Sequence, residues 1–367
     1  VITLQRAFYT TMAKMAASRI TSTFIFALSF AVAEAAKKGK KETTDTSTNP
    51  LPSTAMDNAA IMLAGAITVI GIVYYVAIKL KSRTPFLKMQ DRNTVVKVPL
   101  IARENLSHDT VRFSFGLPTP DTVLGLPVGA CVKFYCPNVT GEVAGQWNGR
   151  EDSEKDESAI ERKYTPCSSD RQKGSFDMVI KVYAGGALPQ FADGGKMSQH
   201  MGRLSVGDSI EMSGPWGQIE YTNPGEFTYM KKVLKKNKIG LLAGGTGITP
   251  MLQIITAAFE NPADTDTTLS LIYANKTEDD ILVRDMLEAL KAKFPDRFTL
   301  HFTLDSPPEK NWPGSKGFIT PDMIQTYLPA PGPDTVVLMC GPPPMVQYAC
   351  KANLDKLGYS KADQLAF

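Results

Sequence analysis

From Lys238 to the end of the chain, short apolar runs alternate with longer amphipathic stretches, and few architectures accept that alternation. The apolar runs fall at 239–243, 268–274, 298–304 and 335–340, and helical periodicity follows near 249–259, 283–294, 321–327 and 344–357. Short, mostly apolar runs suit strands covered on both faces. Such strands, separated by helices, predict βαβ units and hence a parallel sheet with right-handed crossovers. Ligands of these sheets bind beyond the carboxyl ends of the strands. The loops 244–250, 275–280 and 341–345 lie there.

The preceding segment, 95–222, reads as β. Strand-like stretches at 95–103, Thr110–Phe115, Ala130–Tyr135, Phe176–Tyr183 and Ser209–Ser213 are separated by turn-formers such as Leu126-Pro127-Val128-Gly129. One helical stretch near 196–203 interrupts them. Several short strands with one helix predict a small antiparallel barrel. Residues 140–161 are polar and charged and read as a loop, and 81–94 and 223–237 as linkers.

Upstream, the pattern concerns membranes. Ala59 to Ile78 is uncharged over 20 residues, about the ~30 Å of a bilayer core at ~1.5 Å per residue. Tyr74 and Tyr75 lie near one end, and Lys79, Lys81, Arg83 and Lys88 follow. A transmembrane helix over 59–80 is expected, with the large C-terminal part on the cytosolic side of an ER membrane. Residues 36–58 read as a disordered tail. Residues 1–35 read as a targeting segment. The 14-residue apolar run 20–33, with Lys14 and Arg19 before it and Ala33-Glu34-Ala35 after, favours a secretory signal peptide. Arg6, Lys14, Arg19 and the absence of acids before Glu34 also fit a mitochondrial presequence, and an uncleaved anchor stays open. Met12 and Met15 are both possible starts.

Composition excludes several classes. The 40 basic and 37 acidic residues nearly cancel, and residues 1–41 alone hold seven Lys/Arg against one acid. The remainder is mildly acidic, which gives no footprint for nucleic acid. The five cysteines contain no C-x-x-C and suggest neither a zinc ribbon nor a disulfide framework. The three histidines are far apart, no H-E-x-x-H occurs, and no metal site is expected. Redox chemistry would need a bound organic cofactor.

Four segments could bind one. Gly244-Gly245-Thr246-Gly247-Ile248-Thr249-Pro250 runs from a buried strand into a helix, where glycine admits a pyrophosphate and the helix N-terminus supplies N–H groups. It is not G-x-G-x-x-G, and alone it also suits a plain strand–helix turn. Cys340-Gly341-Pro342-Pro343-Pro344-Met345 stiffens another strand end, although its thiol also suits a structural role. Arg162-Lys163-Tyr164-Thr165-Pro166-Cys167-Ser168 offers a cation for a diphosphate and an aromatic for a flat ring. Gly194-Gly195-Lys196-Met197-Ser198 opens the helix in the β segment and is a second possible anion site.

R-x-Y-T-P, GGKMS, GPWG, GGTGITPM and CGPPPM, in that order over Val95–Phe367, strongly resemble the NADH–cytochrome b5 reductase family of the ferredoxin-reductase superfamily. The resemblance implies an FAD-binding barrel followed by an NADH-binding α/β domain at 238–367. It implies that Arg162, Tyr164 and Thr165 contact FAD, with Thr165 near flavin N5. Val179, Lys181 and Tyr183 would line the cofactor, and Lys196, Met197 and Ser198 would hold its pyrophosphate. Thr249 would approach the flavin from the second domain, and Gly244, Gly245, Thr246 and Gly247 would cradle NADH phosphates. Cys340, Gly341, Pro342, Pro343 and Met345 would position the nicotinamide, so Thr165 and Cys340 would stand nearest the chemistry. Asp305 would repel the 2′-phosphate of NADPH, and Lys181 would also assist NADH.

The implied function is electron transfer from NADH through FAD to cytochrome b5, with Lys196 and Lys163 in a basic patch facing that acidic haem protein. An NADPH-dependent ferric or nitrate reductase-like flavoprotein and a non-catalytic membrane-tethered redox scaffold are the competing readings. Two features depart from the family: Lys163 stands where proline is usual, and the 140–161 loop is long.

Overall fold

The computed structural model describes residues 70, 85–88, 91–187 and 191–367. The targeting segment, the tail and, save for Ile70, the apolar run 59–80 lie outside the described residues. Among the described residues no helix is long and apolar enough to cross a membrane.

The first lobe is a six-stranded antiparallel sheet. Its strands are β1 (Val96–Asn105), β2 (Thr110–Gly116), β3 (Cys131–Pro137), β6 (Ala159–Tyr164), β7 (Ser175–Lys181) and β8 (Ser209–Trp216), in the order β6-β3-β8-β1-β2-β7. A short hairpin, β4 (Gln146–Trp147) and β5 (Arg150–Glu151), lies inside the expected 140–161 loop. Three strand spacings, about 14 Å if flat, separate β3 from β2. Yet Phe134 of β3 and Phe115 of β2 have ring centroids 5.4 Å apart, and Phe115 lies 5.4 Å from Phe176 of β7. The sheet is therefore rolled around these rings. Beyond the end of β6, the Cys167 amide donates to the Asp177 carbonyl of β7 (2.9 Å), which draws the two edges together. Helix α1 (Lys196–Arg203) closes one end, with Met197 and Met201 buried in the core.

Segment 223–237, expected as a linker, instead carries strands. β9 (Ile219–Asn223), β10 (Glu226–Tyr229) and β11 (Lys232–Lys235) form a three-stranded meander. Phe227 of β10 is fully buried and packs its ring 5.1 Å from that of Tyr221. Burial of one face was enough to order a lysine-rich segment.

The second lobe is parallel throughout. β12 (Lys238–Gly244), β13 (Thr268–Asn275), β14 (Phe298–Leu304), β15 (Ser315–Lys316), β16 (Thr335–Cys340) and β17 (Gln364–Ala366) are ordered β15-β14-β13-β12-β16-β17. Side chains alternate between the two faces. Leu241 and Leu271 pack with helices α2 (Ile248–Glu260) and α3 (Arg284–Lys293), while Leu242 and Ile272 pack with α4 (Pro321–Tyr327) and α5 (Ala352–Lys356). A π-helical turn, Met345–Lys351, leads into α5, where a longer α-helix was expected. Chain order runs outward from β12 to β14 and then returns to the other side of β12 at β16. That reversal opens a crevice at the carboxyl ends of β12 and β16.

The lobes share a core: Val179, Ile219, Tyr221 and Phe227 belong to the same cluster as Ile239, Leu252 and Ile255. Polar contacts add to it. The Tyr221 hydroxyl donates to buried Asp264 (2.6 Å) and accepts from the Gly225 amide (3.1 Å), and Asp264 also pairs with Arg297 (3.3 Å). Tyr221→Phe strips one donor from a buried carboxylate and orphans one amide. We expect a loss of about 1–3 kcal/mol, read as a lower urea midpoint at constant m-value. An unmoved midpoint would contradict this role for the hydroxyl.

Candidate functional site

The crevice is built by two loops that require glycine for different reasons. A β-carbon on Gly247 would strike the Cys340 backbone carbonyl, and one on Gly244 would strike the Met345 sulfur. These positions let the loop after β12 seat directly on the loop after β16, which begins in register at Ala243 beside Cys340. Gly245 is different: its φ is +54° and nothing lies within 4 Å of where a side chain would project. The open side of that turn is a backbone cradle suited to an anion at the start of α2. The turn is fixed from behind. The Tyr273 hydroxyl donates to the Gly245 carbonyl (2.9 Å), and the buried Thr249 hydroxyl donates to the Thr246 carbonyl (3.1 Å). The Gly245–Gly247 turn also lies against β7 of the first lobe.

Cys340 ends β16 half-buried. Burial, with the neighbouring Cys131 adding to it, pushes its thiol up to about 11. It stays protonated at neutral pH, so it offers shape and a polarisable sulfur, not a thiolate nucleophile. Gly341 to Pro344 follow at the surface, and the Val346 amide donates to the Pro342 carbonyl (3.1 Å) to start the π-helical turn.

Asp305 is exposed immediately beyond β14, its amide held by the Asn275 carbonyl (3.0 Å). The Gly317 amide donates to the Leu304 carbonyl (2.7 Å), and the Thr303 hydroxyl donates to the Gly317 carbonyl (2.7 Å). This brings Phe318 to the same strand end with its ring 76% exposed. An unburied phenyl beside a carboxylate suits a base with its ribose, and the sequence reading missed it. Only the sheet register reveals it.

In the first lobe, α1 starts at Gly195 with no side-chain cap on its leading N–H groups. Arg162 and Tyr164 lie on β6, Tyr164 with its ring centroid 5.8 Å from that of Phe134. Burial pushes the Tyr164 phenol upward. Thr165 follows, half-buried. The donor set of a guanidinium, an uncapped helix start and an aromatic fits an FAD diphosphate and ring.

Other expected residues lie differently. Met197 is 1% exposed in the core, so only its backbone can face a ligand. Val179 is likewise buried in the shared core. The Ser198 hydroxyl accepts from the Tyr183 amide (3.1 Å) and ties α1 to the strand end, leaving the Tyr183 ring exposed.

Lys181 spans the lobes, with Nζ 2.6 Å from Asp109 and 3.2 Å from Asp280. Burial lowers its pKa, but the bonds to these carboxylates outweigh that and hold it raised. His108 joins the two acids in a group whose ligand atoms could hold a metal ion, and the Lys181 ammonium already pairs with both carboxylates and offsets one of their two charges.

Lys196 corrects the expected docking patch. Its side chain is 2% exposed, pairs with Asp152 (2.7 Å) and lies 4.9 Å from the centre of the Trp147 ring. A cation covered in this way cannot meet a protein partner. Asp152, Glu154 and Trp147 were also missed, because residues 42 to 49 positions upstream of Lys196 give no sequence signal of contact with it.

Comparison with known proteins gives a consistent set. Residues 97–221 match the oxidoreductase FAD-binding domain model, and residues 241–351 match the oxidoreductase NAD-binding domain model. NADH-cytochrome b5 reductase 1 of Homo sapiens is 45% identical over 305 residues, covering 81% of this chain and 93% of that protein. NADH-cytochrome b5 reductase 2 of Xenopus laevis is 46% identical over 283 residues, covering 76% and 89%. Among solved structures, the cytochrome b5 reductase domain of Ulva prolifera nitrate reductase aligns with a TM-score of 0.68 at 38% identity, covering 77% of this chain and all of that one.

Proposed function

The chain belongs to the NADH-cytochrome b5 reductase family, and from that membership we propose that it binds FAD on the rolled sheet, takes electrons from NADH at the crevice and delivers them to cytochrome b5. The observation that carries this reading is the crevice itself. The glycine turn before α2 and the Cys340 loop are locked together beside β7, at the point where strand order reverses.

Bound FAD supplies hydride acceptance from the nicotinamide and single-electron release to haem. The chain's residues supply position. Arg162 and the α1 start are placed for the diphosphate, and Tyr164 and Thr165 for the ring system. Gly245 opens the backbone to the NADH phosphates. Cys340 and the proline turn set the floor on which the nicotinamide rests, so that donor and acceptor can meet at near-attack distance. Asp305 and Phe318 are placed for the adenosine end, and Asp305 favours NADH over NADPH. No proton need move at the nicotinamide, and a protonated Cys340 suits that.

Stopped-flow mixing of the FAD-loaded protein with NADH tests this directly. Rapid bleaching of flavin absorbance, followed by reduction of cytochrome b5, is expected. Loaded protein that NADH leaves oxidised would overturn the reading.

The run 59–78 supports a single membrane span, with the catalytic lobes on the cytosolic side of the ER; a mitochondrial membrane is the alternative. Leu87, expected in a linker, is instead buried in the first-lobe core with its amide on the Leu124 carbonyl (2.9 Å), so the cut belongs before it: deleting residues 1–84 is expected to leave NADH–ferricyanide turnover intact while lowering reduction of bilayer-bound cytochrome b5. Loss of FAD binding on truncation would show that the flavin lobe begins earlier.

A further inference from the structure

Residues 138–161 play no part in the steps above, yet they close over Arg162 and over Lys196, the two cations that the sequence led one to expect at the flavin diphosphate. Arg162 presents its fork to Glu154, Nη1 to Oε1 at 2.6 Å and Nη2 to Oε2 at 2.8 Å, and Nη1 also donates to the Glu161 carbonyl (2.8 Å). Lys196 Nζ lies 2.7 Å from Asp152, 3.0 Å from the Asn138 amide oxygen and 3.8 Å from Glu154.

The segment is fastened to the same turn that opens α1. The Trp147 indole donates to the Gly194 carbonyl (2.9 Å), and the Asn148 side-chain oxygen accepts from the Asp193 and Gly194 amides (2.8 and 3.0 Å). The Asp193 carboxylate in return accepts from the Glu142 and Asn148 amides.

A carboxylate and a phosphate make the same bidentate demand on a guanidinium. Arg162 cannot give the end of its fork to both. A diphosphate set beside Asp152 and Glu154 would also place excess negative charge in one spot.

The two pairs differ in how readily they part. Lys196 and Asp152 are 2% and 8% exposed, and separating a buried pair leaves an uncompensated charge. Arg162 and Glu154 are 43% and 29% exposed, where water softens the exchange.

We propose that residues 138–161 form a carboxylate latch on the flavin diphosphate site: Asp152 holds Lys196 permanently, Glu154 holds Arg162 in place of phosphate oxygens, and FAD enters by displacing Glu154. The latch rests on the FAD reading above. It makes cofactor uptake depend on a segment that takes no part in electron transfer.

The test uses the full chain stripped of flavin, with FAD binding followed by quenching of flavin fluorescence. Glu154→Gln is expected to speed FAD association and tighten binding, by about fivefold for the loss of one partly exposed ion pair. Asn148→Ala removes the side-chain bonds to the Asp193 and Gly194 amides and to the Gly194 carbonyl, which loosens the segment without altering charge, and is expected to speed association too. It decides the matter if Glu154→Gln does not fold. Weaker FAD binding in Glu154→Gln would overturn the latch, because Glu154 would then be orienting Arg162 for the diphosphate. Unchanged association in the folded variants would overturn it as well. A wild-type chain that takes up no FAD would overturn the flavin reading and the latch together; uptake by the wild type with no effect of either substitution would overturn the latch alone.

Discussion

Asp305→Thr is expected to raise kcat/KM for NADPH about ten- to hundredfold relative to NADH. The carboxylate stands exposed at the carboxyl end of β14, with exposed Phe318 at the same strand end, where a parallel sheet of this kind can receive the adenosine end of a dinucleotide. There it can accept hydrogen bonds from a free 2′-hydroxyl, and it opposes a 2′-phosphate. A unit-charge pair about 4 Å apart at an effective dielectric of ~20 interacts by about 4 kcal/mol. Exposure to water and salt leaves roughly 1.5–3 kcal/mol of that, which is the selectivity stated. Threonine removes the charge and keeps a hydroxyl for the ribose. Steady-state kinetics with both dinucleotides measure the ratio, and a ratio unmoved by the substitution would end this assignment.

Arg162→Ala is expected to weaken FAD binding at least tenfold. Hydrogen bonds to a charged partner contribute about 1.5–3 kcal/mol each, and the guanidinium can make two. The substitution also leaves Glu154 without its partner beside the incoming diphosphate. Removing the cation therefore loses an attraction and uncovers a repulsion. Flavin retained after exhaustive dialysis is the measurement. Full retention would mean that the diphosphate lies elsewhere. The lobes should stay folded in this variant, since Arg162 is 43% exposed and outside the core.

The parallel sheet was legible because nothing in it competes with the signal. Leu241 and Leu338 sit in uninterrupted apolar runs, Leu271 and Leu300 in runs broken only by Ser270 and by Thr299, His301 and Thr303, and the turn at Gly244 begins where the run of β12 ends. The same holds for the glycine cradle and the proline turn, whose local chemistry requires little help from distant residues. The meander β9-β10-β11 was not legible. Its tight turn places Met230 and Lys231 at positive φ (48° and 67°), a conformation that glycine or asparagine would normally announce. Exposed lysines stand on β11, and only Ile219, Tyr221 and Phe227 mark the buried face.

The reading of Lys196 went wrong for a related reason. A lysine after two glycines at a helix start is ordinarily a solvated cation. Only the fold brings Asp152 and Trp147 over it. Phe318 shows the converse, an aromatic whose type suggests a core position and whose register leaves it at the surface.

The interior common to both lobes bears on what can be exchanged between proteins of this kind. Two modules on a flexible tether can be recombined freely, because each carries a complete hydrophobic interior. Here Val179, Tyr221 and Phe227 of one lobe finish the interior of the other, and Gly129 donates its amide to Gln253 across the boundary (2.9 Å). A cut between Asn237 and Lys238 would bare apolar surface on each half. A chimera that respects the chemistry must therefore move its crossover off the domain boundary seen in sequence and carry the meander along with the nucleotide-binding half.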